Sequence, residues 1–146
     1  MMEGTLIGFD FGSRRIGVAV GETSTRIASP LGAIEGEANE ARFEAIGRIV
    51  AEWKPAGFVV GRPPRHPDGT EHAVARLAEK FGRRLEARYS VPVTYVDETL
   101  TSAEAESSLR QTRTRAGSKS DIDALAAALI LQSFLDEMPA PNKEKS

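Results

Sequence analysis

Hydrophobic and polar residues repeat with two different periods along the chain, and the period changes near residue 40. Before that point, three short runs rich in β-branched residues, at 5–11, 16–20 and 26–34, are separated by glycine-containing or polar turns. This pattern predicts three strands that pair antiparallel, the first two as a hairpin. Pro30 has no N–H to donate to a neighbouring strand, so we expect the third strand at an edge of the sheet.

After residue 40, apolar strands alternate with helical patterns. The sequence predicts helices over about 41–53, 70–89 and 120–138, strands over 57–60 and 91–96, and one further helix after a capping-box sequence at 101–104. Strands that alternate with helices pair in parallel within a covered sheet. We therefore predict an α/β protein with a mixed five-stranded sheet, antiparallel in its first three strands and parallel in the remainder, with helices on both faces. This order fits the ribonuclease H-like architecture.

Length and composition indicate one globular domain. The chain has 146 residues, of which 40% are hydrophobic and 27% charged, and we expect a single domain over 1–138 and a flexible tail over 139–146. The sequence has no cysteine, no apolar run of about 20 residues, and no basic and apolar signal segment at its start. We therefore expect a cytoplasmic protein with no membrane contact.

The overall charge argues against binding nucleic acid by bulk charge, because the net value is -2. One segment is locally basic and has no acidic residue; its positive side chains are Arg110, Arg113, Arg115 and Lys119. This segment predicts a local nucleic-acid contact, and a solvated loop is the alternative. Three further arginines, at 83, 84 and 88, are interspersed with acidic and apolar residues, which is typical of an ordinary helix surface.

Acidic residues stand where several predicted elements begin or end. In the first strand, Leu6, Gly8 and Asp10 share one face, so Asp10 lies at the carboxyl end of an otherwise apolar row. An ionised carboxylate in that setting requires a cation or several hydrogen-bond donors. Asp97 and Glu98 directly follow the strand at 91–96, at the sheet edge where ligands bind in open α/β proteins. These acids are therefore candidates for one shared site.

The last helix contributes a further acid from its first turn, where the helix dipole favours negative charge. Asp123 lies in line with Ala127, Ile130 and Phe134, a more buried row than the one that contains Asp121. The alanines of this helix allow it to approach the sheet closely. We therefore favour Asp123 over Asp121 as the residue that faces the site.

Carboxylates at this density predict a divalent metal site. Oxygen ligands favour Mg²⁺ or Mn²⁺ over zinc, since neither histidine falls near these acids in the pattern. The chemistry that follows is phosphodiester hydrolysis, with two ions about 4 Å apart, or one ion as the alternative. Each acid also has a simpler interpretation: Asp10 as a strand end, Asp97 and Glu98 as an exposed turn, and Asp123 as a helix cap.

Four ordered motifs cover nearly the whole chain. They are Gly8-Phe-Asp10-Phe-Gly12 with Arg15-Ile-Gly17-Val-Ala-Val, Val59-Val-Gly61-Arg-Pro63 with Asp68-Gly69-Thr70, Val96-Asp97-Glu98-Thr-Leu-Thr-Ser, and Gly117-Ser-Lys119 followed by Asp123 and Ala126-Ala127. In these motifs the chain resembles the YqgF/RuvX proteins, which are described as Holliday junction resolvases and as nucleases that process the precursor of small-subunit ribosomal RNA.

The resemblance implies a role for each motif residue. Asp10 would be the first metal carboxylate, Glu98 the second and Asp123 the third, with Mg²⁺ or Mn²⁺ as the cofactor. Lys119 would contact a substrate phosphate, and Arg15 is a second candidate for that contact. The resemblance thus selects Glu98 from the Asp-Glu pair and agrees with the helical argument for Asp123.

The sequence departs from the family pattern at two positions. Thr99 stands where the family commonly has an arginine after the Asp-Glu pair, so the resemblance does not carry a contact to phosphate or to the metal shell over to that position. Arg62 stands where the family commonly has leucine, and we expect it to bring a positive charge toward the site.

The predicted function is a metal-dependent endonuclease that processes precursor small-subunit ribosomal RNA, with nucleic acid as its partner. One alternative is a Holliday junction resolvase, which would require a symmetric dimer with two sites. Another is a nucleic-acid-binding module without catalysis, which the acids at 10, 98 and 123 argue against. The sequence leaves both a monomer and a homodimer open.

Overall fold

The computed structural model describes residues 3–12, 14–36, 38–62, 73–97 and 119–138, with side chains from residue 122 onward in the last segment. The elements of these residues are β1 (Thr5–Asp10), β2 (Arg15–Glu22), β3 (Ile27–Glu35), α1 (Asn39–Trp53), β4 (Gly57–Arg62), α2 (Ala73–Tyr89), β5 (Val93–Asp97) and α3 (Lys119–Glu137). The helix predicted after 101–104, most of the basic segment and the tail at 139–146 lie outside the described residues.

The sheet has the order β3-β2-β1-β4-β5. Strand β2 pairs antiparallel with both β1 and β3, whereas β4 pairs parallel with both β1 and β5. The predicted mixed sheet is therefore confirmed. Strand β3 is an edge strand, and Pro30 lies opposite Ala19, next to a register shift between Val18 and Ala19. The edge position predicted from Pro30 is confirmed, because the missing N–H is tolerated there.

Helices cover both faces of the sheet, as predicted. Helix α3 packs on one face against Leu6, Ala19 and Val59, which are buried with the apolar side of the helix. Helices α1 and α2 pack on the other face, which we call the aromatic face because rings dominate its core. The alternation along β1 decides which residue goes where: Leu6 and Ala19 belong to the α3 face, and Ile7 and Phe9 belong to the aromatic face.

Phe81 of α2 connects the rings of the aromatic face. Its ring centroid lies 5.4 Å from that of Phe9, 5.2 Å from that of Phe11 and 5.8 Å from that of Phe43. These separations are typical of favourable aromatic pairs. The ring of Phe58 in turn lies 5.8 Å from that of Phe9. Large interlocking side chains therefore set the distance between the sheet and the helices on this face.

In the part of the chain that the structure describes, no helix is both long enough and apolar enough to cross a bilayer.

Candidate active site

Asp10 lies at the carboxyl end of β1, between two glycines of the neighbouring strands. Its partner in β2 is Gly17 and its partner in β4 is Gly61. Residues directly opposite each other in an antiparallel pair have Cα atoms about 4.5–5.5 Å apart and point to the same face. Because Leu6 and Ala19 of the same two rows belong to the α3 core, Asp10 and Gly17 also face α3. The half-buried Asp10 is thus directed toward the helix that carries Asp123.

Asp123 rests directly on Gly17. A Cβ atom placed on Gly17 would lie 3.2 Å from the Cβ atom of Asp123 and well inside the van der Waals contact distance to its carbonyl oxygen. Further along the helix, a Cβ atom placed on Gly8 would lie 2.8 Å from the Cβ atom of Leu131. Helix α3 therefore approaches the backbone of β1 and β2 through two glycines. This approach brings Asp123 beside Asp10 on the same face and at the same end of the sheet.

Arg15 holds the carboxylate of Asp123. The Nε atom of Arg15 donates a hydrogen bond of 2.6 Å to Oδ2 of Asp123, and the two side chains are 28% and 24% exposed. Arg15 is the first residue of β2, two residues before Gly17. The strand on which α3 packs therefore also carries the arginine that orients Asp123. The phosphate contact that the resemblance implies for Arg15 stays a prediction.

Asp97 belongs to the opposite face. Val96 packs against the α3 core, so Asp97, the next residue of β5, points to the aromatic face. There its Oδ1 atom accepts a hydrogen bond of 3.1 Å from Nε of Arg62, whose Nη1 atom donates one of 2.7 Å to Glu79 of α2. The sheet therefore lies between Asp97 and the two acids Asp10 and Asp123.

The expectation that Arg62 brings positive charge toward the site is wrong. Strand β4 continues to Arg62, and alternation directs Gly61 to the α3 face and Arg62 to the aromatic face, over the ring of Tyr95. Burial by itself lowers the pKa of Arg62, but the hydrogen bonds and charges of Asp97 and Glu79 outweigh it, so the net pKa is raised. Arg62 therefore joins β5 to α2 through its bonds to Asp97 and Glu79, on the face opposite to Asp123.

Several predicted site residues cannot be placed. Outside the described residues lie Glu98, Thr99, Arg110, Arg113 and Arg115, together with the side chains of Lys119 and Asp121. The described residues alone contain no group of three acidic or histidine side chains that could hold a metal ion. Asp10 and Asp123 are thus the two members of the predicted triad that the structure brings together. Both offer carboxylate oxygens, the ligand type that fits Mg²⁺ or Mn²⁺.

A buried arginine that the sequence analysis missed holds the turn after Asp10. Arg42 of α1 is 4% exposed; its Nε atom donates to the carbonyl oxygen of Gly36 at 2.8 Å, and its Nη2 atom donates to that of Gly12 at 3.0 Å. Its guanidinium also lies 5.6 Å from the ring centroid of Phe11. Arg42 therefore positions the segment that directly follows Asp10. The sequence did not predict that Arg42 is buried, because an arginine in an amphipathic helix normally lies on the polar, exposed side.

Comparisons with known proteins find relatives that match most of the chain. The family model RuvX, described as Holliday junction resolvase, matches residues 4–137. A Dechloromonas aromatica (strain RCB) protein with the name "Putative pre-16S rRNA nuclease" is 53% identical over 134 residues, which cover 91% of each chain. A protein of the same name from Paraburkholderia xenovorans (strain LB400) is 48% identical over 134 residues, which cover 92% of this chain and 89% of that one.

Solved structures share the fold at low sequence identity. T. thermophilus RuvC in complex with a Holliday junction substrate has a TM-score of 0.55 and 16% identity, covering 92% of this chain and 98% of the other. The yeast mitochondrial Holliday junction resolvase Ydc2 has a TM-score of 0.56 and 11% identity, covering 89% and 77%. These similarities confirm the ribonuclease H-like fold. The match of the family model over residues 4–137 and the relative at 53% identity show that the chain belongs to the RuvX family.

Proposed function

We propose that the protein is a metal-dependent endonuclease that hydrolyses phosphodiester bonds in the precursor of small-subunit ribosomal RNA, in the cytoplasm. The observation that carries this proposal is the seat of Asp123 on Gly17, the strand partner of Asp10, because it puts two carboxylates together at the carboxyl end of β1. Membership of the RuvX family supports the nuclease class, and the names of its relatives support the ribosomal RNA precursor as substrate.

Glu98 is our candidate for the third carboxylate. The family resemblance selects it from the Asp-Glu pair. The structure argues against the other member, because Val96 faces α3 and Asp97 faces α2, away from Asp10 and Asp123.

In this proposal Asp10, Glu98 and Asp123 hold Mg²⁺ or Mn²⁺ through their oxygens. When bound there, such an ion would supply an activated water for attack on phosphorus and charge stabilisation for the leaving oxygen. The chain itself contributes position: Asp10 is held by strands on both sides, and Asp123 is oriented by the hydrogen bond from Arg15. Such fixed alignment of the reacting groups is worth several kcal/mol of barrier.

Cationic side chains would hold the substrate backbone. The guanidinium of Arg15 has five N–H donors, of which Nε serves Asp123, so the remaining donors suit a phosphate beside the acids. We propose the same role for Lys119 and for the basic residues Arg110, Arg113 and Arg115. Contacts of this kind position a strand but read little of its sequence.

A Holliday junction resolvase is the second candidate. The description of the RuvX family model names this activity, and the similar T. thermophilus RuvC was solved with a junction substrate. Cutting a four-way junction symmetrically requires a homodimer with two sites, whereas RNA processing works with a monomer. The substrate that is cut and the oligomeric state therefore separate the two candidates.

The test compares purified wild type with the variant Asp10→Asn on labelled precursor ribosomal RNA and on a four-way DNA junction, with Mg²⁺, Mn²⁺ or chelator. We expect metal-dependent cleavage of the RNA and a loss of at least about 100-fold in the variant, because removing a metal ligand forfeits several kcal/mol of transition-state stabilisation. Cleavage of the junction alone would favour the resolvase. Binding without cleavage by both proteins would contradict catalysis and favour the binding module.

A further inference from the structure

A cleft of about 260 Å³ opens on the aromatic face of the sheet, on the side opposite to Asp123. Its inner wall includes the rings of Phe11, Phe43 and Phe81, and its outer wall includes one side of α2 with the 46% exposed Leu77. The cleft thus combines a ring-lined interior with an apolar rim that is open to water. Phe11 directly follows Asp10 in the chain, so the cleft and the carboxylates lie at the same end of the same strand.

The charged residues that line the cleft are all cations. They are Lys80 and Arg84, which are exposed, and the buried Arg42, which donates hydrogen bonds to the carbonyl groups of Gly12 and Gly36. Lys80 and Arg84 lie four residues apart on α2, a spacing at which like charges repel on a helix surface. An anion between them would remove that repulsion. Among the described residues, no acid lines the cleft.

Helix α1 adds a further positive element at the cleft. Its first residue, Asn39, lines the cleft, and the preceding Ala38 forms no side-chain hydrogen bond to cap the helix. The N-cap residue of this 15-residue helix therefore provides no side-chain acceptor for the N–H groups of the first turn, and the positive end of the helix dipole lies there. Glu40 in the same turn is exposed and does not line the cleft.

We propose that this cleft binds one nucleotide unit, with its phosphate at Lys80 and Arg84 and its base against Leu77 and the half-buried ring of Phe11. Cations combined with apolar or aromatic side chains are how proteins hold unstacked nucleotides. The volume lies just below the range of about 300–1,000 Å³ for drug-sized ligands, so it suits a single ring system. The charges and rings require only an anion joined to an apolar ring; that the ligand is a nucleotide rests on the proposed nuclease function.

The nucleotide could belong to a single strand of RNA or be a free mononucleotide, and the test separates these sources. Binding of a labelled RNA decamer and of a labelled mononucleotide is measured by fluorescence anisotropy in chelator, where no cleavage occurs. The test variant is Lys80→Ala/Arg84→Ala. The matched control is Arg48→Ala/Arg83→Ala, which removes two exposed cations outside the cleft, one from α1 and one from α2. Thermal unfolding checks that both variants fold.

We expect the test variant to bind at least one probe about 10-fold more weakly than the control does. For the decamer, the slope of log affinity against log salt should fall by about 1.4, corresponding to two lost phosphate contacts. Loss for the decamer alone identifies a strand as the ligand, and loss for both probes identifies the mononucleotide. Equal binding of test and control variants to both probes would overturn the proposal.

Failure of this inference is distinguishable from failure of the proposed function. The variant Asp10→Asn should keep the binding that depends on Lys80 and Arg84, because Asp10 lies on the other face of the sheet. If wild type binds RNA through these two cations and yet cleaves neither substrate, the nuclease proposal fails and the proposed nucleotide site stands. If Asp10→Asn abolishes cleavage while Lys80→Ala/Arg84→Ala binds like the control, the nuclease proposal stands and the proposed nucleotide site fails.

Discussion

The two faces of the sheet are built on opposite principles. On the α3 face, glycines and alanines let the helix backbone touch the strand backbone, and Asp123 is placed by that contact at Gly17. On the aromatic face, Phe9, Phe58 and Phe81 fill the space between the sheet and its helices. The position of Asp123 therefore depends on the short distance between α3 and the sheet, which glycine and alanine allow. The packing of the aromatic face depends on the volume of its side chains. We therefore expect the protein to lose stability when atoms are removed from the aromatic face and when atoms are added on the α3 face.

Removing a ring should give the largest effect on the aromatic face. Phe58 is fully buried between the rings of Phe9 and Tyr89, and Phe58→Ala should lower the free energy of unfolding by about 3–5 kcal/mol. The loss reflects buried area and the cavity that the ring leaves. Urea unfolding followed by circular dichroism measures it. A loss below about 1.5 kcal/mol would mean that the face repacks and is not set by volume.

Adding one carbon should be the damaging change on the α3 face. The new Cβ in Gly17→Ala would overlap the carbonyl oxygen of Asp123, and backbone cannot move aside as a flexible side chain can. We expect a loss of about 2–3 kcal/mol in the free energy of unfolding, because overpacking forces the helix to shift. Since that shift also moves Asp123, cleavage per folded molecule should fall as well.

Gly32→Ala is the matched control for that variant. Gly32 also lies in a strand, but a Cβ atom placed there meets no atom within 4 Å. Its free energy of unfolding should stay unchanged or rise by about 0.5 kcal/mol, because alanine restricts the unfolded chain. If both variants lose the same stability, strand glycines are generally required and the close seat of Asp123 is not the cause.

The fold could be predicted from the sequence because its signals are local. Alternation in β1 correctly put Asp10 and Leu6 on one face and Phe9 on the other, and Pro30 correctly marked the edge strand. Strand and helix bounds differ from the prediction by a few residues at most in the described part of the chain. One such difference had a consequence: β4 continues two residues beyond its predicted end, and this extension decides the direction of Arg62.

The details of the site were less predictable because they depend on how α3 docks. Gly17 stands in one of the family motifs without a predicted role, yet the structure shows that its backbone accepts the helix. The small residues Gly17, Ala19 and Gly21 on one face of β2 could have indicated it, opposite the alanines of the last helix. The pair formed by Arg15 and Asp123 joins residues 108 positions apart, and no local pattern predicts such a contact.

The smallest effect is expected at Asp97, an acid on the aromatic face, where substitution should cause only a small loss of stability and activity. Asp97 is 64% exposed in its ion pair with Arg62, so Asp97→Asn should cost no more than about 1 kcal/mol of stability. Since Asp97 faces α2, the variant should also cleave precursor RNA within about 3-fold of wild type, whereas loss of a metal ligand costs far more. Initial cleavage rates of Asp97→Asn, Glu98→Gln and Asp10→Asn, measured together, test this. A loss in Asp97→Asn as large as that in Asp10→Asn would contradict the division of the site between the two faces, because an acid behind the sheet would then take part in the chemistry.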